Sequence, residues 1–97
     1  MNKTALIKEL KNAYQLVSQY EGGYSGNFID SKDFAAALKD AIALFESGDD
    51  TIVKNLWLWF APTTAWDDFT GLEGMELGNS IFEKLEKYIV ENKIKIW

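Results

Sequence analysis

The chain has 97 residues, 47% of them hydrophobic and 14% aromatic, enough for one domain (1–97) with one core and too apolar for a disordered chain. It has no cysteine and no histidine, and its ten basic residues are all lysines. This excludes disulfides, thiolate nucleophiles, Cys/His metal sites, an imidazole base and the bidentate guanidinium fork, while a net charge of −5 argues against nucleic acid or an anionic membrane as partner.

The predicted elements begin with a helix over about 3–20. Leu6, Leu10, Ala13, Val17 and Tyr20 recur at spacings of four, three, four and three, which puts them on one helical face. Met1–Lys11 carries Lys3, Lys8, Glu9 and Lys11 and no apolar run of signal-peptide length, and no stretch reaches the roughly 20 apolar residues of a membrane span. A cytoplasmic location is the expectation. Glu21-Gly-Gly-Tyr-Ser-Gly-Asn then ends the helix, with three glycines in five residues. Tyr24 in this loop reads either as a ring folded back on the core or as an exposed contact.

Asp30 or Ser31 caps the second helix, and Asp33 in its first turn suits the macrodipole. Phe34, Leu38, Ala41, Ile42 and Phe45 form its apolar face, and Ser47-Gly48 ends it. Asp49 or Asp50 caps a third helix. Ile52, Leu56, Trp59 and Phe60 share a face there, with Val53, Trp57 and Leu58 widening it, so this helix reads as the central one. Trp57 and Trp59 are about 200° apart around a helix and cannot face the same neighbour. Pro62 closes the element by forcing Ala61 out of the α region.

Thr63–Glu73 reads as an irregular stretch. Thr64-x-x-Asp67 and Thr70-x-x-Glu73 have the form of capping boxes that start short helical turns. A fourth helix follows over about 74–92, with Leu77, Ile81, Leu85 and Tyr88 as its stripe. Ile94, Ile96 and Trp97 form a short apolar tail that needs cover. Short connections between four amphipathic helices predict an all-α, four-helix antiparallel bundle, with an irregular Pro/Trp/Asp loop between helices 3 and 4 and a short C-terminal tail.

The catalytic inventory is thin. Five serines are present, and no histidine is there to activate them. Gly-Gly-Tyr-Ser-Gly is not a nucleophile elbow, and no Gly-Lys-Ser/Thr follows the loop glycines. Asp49-Asp50 reads most simply as a cap and its neighbour. Asp67-Asp68 reads as a turn cap or a binding contact, and only then as ligands for a hard cation, since no EF-hand spacing is present. Neither a catalytic group, a metal nor a cofactor is expected.

The charge is uneven. Residues 21–76 hold eleven acids against Lys32, Lys39 and Lys54, a net of −8, while both flanks are weakly positive. Solubility explains part of this, and attraction of a basic partner is the sharper reading. Trp66, beside two carboxylates in a predicted loop, is the candidate for an exposed anchor. The expected partner-binding set is Trp66, Asp67, Asp68, Asp30, Asp33, Tyr24 and Glu73.

Trp59-Phe60-Ala61-Pro62-Thr63, then Trp66-Asp67-Asp68, then Leu77-Gly78-Asn79 resembles a segment of a group of small bacterial proteins. In size, acidity and helical content they look like immunity proteins of bacterial toxin systems. That resemblance implies a protein that binds and blocks a cognate toxin domain, possessing no catalytic residues. A basic nuclease domain suits the acidic middle of this chain. Two other classes stay open at this stage, a homodimeric structural or regulatory helical module that buries rings such as Trp97, and a small acidic enzyme or metal-binding domain.

Overall fold

The computed structural model describes residues 3–23, 28–61 and 64–94. Among them the protein is an all-α bundle built on four principal helices: α1 (Lys3–Val17), α2 (Ser31–Glu46), α3 (Val53–Phe60) and α5 (Met75–Glu91), with a shorter α4 (Ala65–Thr70) between the last two. Side-chain contacts fix the directions. Lys3 at the start of α1 lies 4.5 Å over the ring of Phe45 at the end of α2. Phe34 in the first turn of α2 meets Trp59 in the last turn of α3 at 5.8 Å. Tyr88 near the end of α5 donates to Asp50, just before α3, at 2.8 Å. Successive principal helices therefore run antiparallel.

The core follows the apolar stripes. Leu6, Leu10, Ala13 and Val17 are buried from α1, as are Phe34, Leu38 and Phe45 from α2 and Ile81 and Leu85 from α5. One polar cluster crosses this interior seam. Lys84 on α5 pairs with Glu9 on α1 at 2.8 Å, and Ser80 donates to the same carboxylate at 2.8 Å. A half-buried pair whose remaining oxygen is also satisfied favours one register of α1 on α5.

Helix ends show where local chemistry decides. Asp30 caps α2, its Oδ1 accepting from the Asp33 backbone N–H at 2.8 Å. At the other end Asp49 N–H reaches back to the Leu44 carbonyl at 3.0 Å, and Gly48 takes the left-handed conformation (φ +100°) that closes such a helix end. Lys93 plays the same part after α5, with φ +53° and the Ile94 N–H on the Ile89 carbonyl at 3.0 Å.

Three expectations need correction. The first helix stops at Val17, and Tyr20 leaves the stripe. Ser18 N–H still closes on the Tyr14 carbonyl, but Gln19 and Tyr20 make tighter three-residue turns that lead into the glycines. The third helix is not central, because Lys54 and Asn55 face solvent and Leu58 is 43% exposed. Its two tryptophans diverge as their spacing requires: Trp57 stacks on Phe82 of α5 (5.7 Å), and Trp59 meets Phe28 and Phe34 edge-on. The stretch after α3 is largely helical, as α4 and a 3-10 turn over Gly71–Gly74. Helical turns start at both predicted places, but the capping boxes do not form as read. The Thr64 hydroxyl donates to the carbonyl of Trp59 at 3.0 Å, and that of Thr70 to Trp66 at 2.8 Å. Pro62 and the 95–97 tail with Trp97 lie outside the described residues.

Candidate functional site: an acidic end of the bundle

The acid-rich segments meet where α1 ends, α2 begins, α3 ends and α5 begins. Aromatic packing gathers them. Phe28, just before α2, contacts Phe34, Trp59 and Phe69 at 5.0, 5.5 and 6.5 Å, and Phe34 stacks on Phe69 of α4 at 5.4 Å. Gly23 lies against the same Phe69 ring, close enough that an added Cβ would sit 3.1 Å from it. Ser31 N–H donates to the Gly22 carbonyl at 2.9 Å, which ties the α1–α2 connection to the start of α2. Large rings beneath and short polar links above leave the carboxylates outermost.

Asp30 and Asp33 open α2 here, Glu21 and Glu73 follow and precede helices at the same end, Asp67 and Asp68 lie in the first turn of α4, and Glu76 lies in the first turn of α5. Among the described residues Lys32 is the cation set among them, and its ammonium is 3.9 Å from Glu21. The N-termini of α2 and α5 offset part of this negative field. Asp33 accepts from the Ile29 N–H at 3.2 Å and remains exposed. Glu73 accepts a short hydrogen bond from the Tyr20 hydroxyl. That bond, then burial and the carboxylate charge, pushes the Tyr20 pKa up to about 12. At the opposite end burial, then the bond to Asp50, raises Tyr88 to about 12 as well. Asp49 there accepts from the Thr51 N–H at 3.0 Å, so it is a cap, as its sequence suggests.

Of the residues expected from sequence, Asp30 and Asp33 stand at the start of α2, Glu73 is bound to Tyr20 just after α1, and Asp67 and Asp68 lie in the first turn of α4. Tyr24 lies outside the described residues. Trp66 is a correction. It is fully buried and is no exposed anchor. Its indole N–H donates to the Gly74 carbonyl at 2.8 Å, and its ring packs 5.0 Å from Phe60. The room comes from glycine. A Cβ at Gly78 would lie 2.4 Å from Trp66 Cδ1 and Nε1, and one at Gly74 would lie 2.9 Å from Trp66 Cζ2. The Trp66…Gly78 motif is thus a packing lock that seats α4 on α5. Its sequence signal was the Gly74-x-x-x-Gly78 spacing, which puts two bare positions one above the other near the start of a helix.

Sequence reasoning missed two residues at this end. Ile29 is 77% exposed and Leu72 is 83% exposed, the most exposed large aliphatics among the described residues. Both stand off every helical stripe, and both neighbour a carboxylate in sequence, Asp30 and Glu73.

Among the described residues no three acidic side chains are placed to hold a metal ion, and no helix is long and apolar enough to cross a membrane. The chain was compared with protein-family models, curated proteins and solved structures. None of the three finds a match. The quoted segment supports only the likeness to a group of small bacterial proteins, the likeness to immunity proteins rests on size, acidity and helical content, and part of the segment is accounted for by packing around Trp66.

Proposed function

We propose that this chain is a non-catalytic inhibitor of the immunity type, which binds a basic bacterial toxin domain in the cytoplasm through the acidic end of its bundle. One observation supports the reading: the Ser31–Gly22 and Tyr20–Glu73 hydrogen bonds join the end of α1, the start of α2 and the turn before α5, segments that carry Glu21, Asp30, Asp33 and Glu73, and among the described residues Lys32 is the cation paired there. A field of this sign accelerates encounter with a positively charged surface by about tenfold or more at low salt, and it repels nucleic acid. Carboxylates fixed by backbone and hydroxyl donors, as Asp30, Asp33 and Glu73 are, need little reordering when a cation arrives.

The test is affinity capture from extract of the source cell, with wild type beside Asp30→Asn/Asp33→Asn/Glu73→Gln. Asparagine still caps a helix and glutamine still accepts from Tyr20, so these changes remove charge and keep the fold. One stoichiometric basic protein, depleted from the variant, is the expected result. A partner retained in full by the variant, or no partner at all, contradicts the proposal.

A further inference from the structure

We propose that Ile29 and Leu72 are apolar anchors of the acidic end, and that the surface they fit is a protein face with apolar pockets ringed by lysine or arginine. This rests on the inhibitor reading above and sharpens it, because a purely electrostatic mimic of phosphates has no use for bare aliphatic side chains. Phe28 and Phe69, close neighbours of Ile29 and Leu72 in sequence, both turn into the core. Ile29 instead points out from a backbone that is pinned on both sides, its own N–H on Asp33 and the Ser31 N–H on Gly22. Leu72 sits in a 3-10 turn held by Glu73 on Tyr20 and by the Gly74 carbonyl on the Trp66 indole. Two large aliphatics on hydrogen-bonded backbone, each next to a carboxylate in the chain, suit a binding hot spot with an apolar centre and a charged rim.

Charge complementarity selects the occupant. Asp33 accepts from the Ile29 N–H, and Asp30 and Glu73 are the chain neighbours of Ile29 and Leu72, so a partner seated on these segments meets negative charge, which a second copy of this acidic end cannot do without repulsion. The charges then govern the rate of arrival and the two aliphatics the residence time.

A defined probe tests this: a synthetic amphipathic lysine–leucine helix and a lysine–alanine helix of equal length and charge. Binding is read by calorimetry and by the methyl NMR signals of Ile29 and Leu72, on wild type, Ile29→Ser, Leu72→Ser and the double variant. Their melting curves verify the fold. The expected result is that the leucine peptide shifts both methyl signals, binds about tenfold or more tighter than the alanine peptide, and loses about tenfold with each serine. Equal binding of the two peptides, unchanged by either serine, overturns the anchors and leaves the charged inhibitor standing. Failure of both peptides to bind wild type at low salt removes both readings. Self-association abolished by the double variant would place a second copy on the patch and also overturn the proposal.

Discussion

Gly78→Ala gives the sharpest view of what holds this fold, because two effects of opposite sign meet at one atom. In an ordinary helix position alanine stabilises relative to glycine by about 1 kcal/mol. Here the new Cβ would lie 2.4 Å from Trp66 Cδ1 and Nε1, well inside contact distance. The indole is fully buried and pinned by its bond to the Gly74 carbonyl, with Phe60 packed against its ring, so it has no free direction of retreat. Forced overpacking costs about 1–3 kcal/mol. Pulling the indole off a buried carbonyl adds about 1–3 kcal/mol. After the helix gain is subtracted, the variant should be less stable by about 3 kcal/mol, a fall in Tm of about 12–24 °C for a domain of this size. Thermal and urea melts followed by circular dichroism measure it. A second background supplies the control. In Trp66→Leu the obstacle is gone, and the same Gly78→Ala change should become neutral or stabilising. A Gly78→Ala single variant that melts at or above wild type would refute the packing lock.

Further predictions follow from other helix ends and side-chain pairs. Lys93 holds a left-handed conformation at φ +53°, so Lys93→Gly should raise stability by about 0.5–1 kcal/mol in a urea melt. Tyr20 and Tyr88 both have folded pKa values raised to about 12 from an unfolded value near 10. Their stabilising contribution is therefore complete below about pH 10 and is lost as pH rises from about 10 to 12, and Tyr88→Phe should flatten that part of the stability–pH curve. Lys84→Met leaves the half-buried Glu9 carboxylate without its cation and should cost about 1–2 kcal/mol, whereas Lys87→Met in the exposed pair with Glu83 (3.3 Å) should change stability by less than about 0.5 kcal/mol.

The parts of the fold that could be read from sequence are those where local chemistry and tertiary packing agree. α2 begins after the predicted Asp30 cap and ends beside Gly48, and α5 runs within a residue of its expected bounds. Tyr20 misled because it continues the α1 period by coincidence, while its hydroxyl has a partner 53 residues away in Glu73. Adjacent carboxylates made Trp66 read as exposed, yet in a helix neighbouring side chains point in different directions, so Asp68 is outward while the ring is inward. The acidic end itself was half legible. Composition shows an acidic middle, but only the meeting of Phe28 and Phe34 with Phe69 brings the start of α2 onto α4. Ile29 and Leu72 carry no periodic signal, and whether a lone aliphatic is covered is a property of the assembled bundle.

If this end attracts a basic protein by charge, the association rate must depend on salt. With the captured partner in hand, stopped-flow association is measured from about 0.01 M to about 0.15 M salt, over which the screening length falls from about 30 Å to about 8 Å. The on-rate should drop by about tenfold or more across this range, with a much shallower drop for Asp30→Asn/Asp33→Asn/Glu73→Gln. An on-rate indifferent to salt, or equally salt-dependent in that variant, would contradict it.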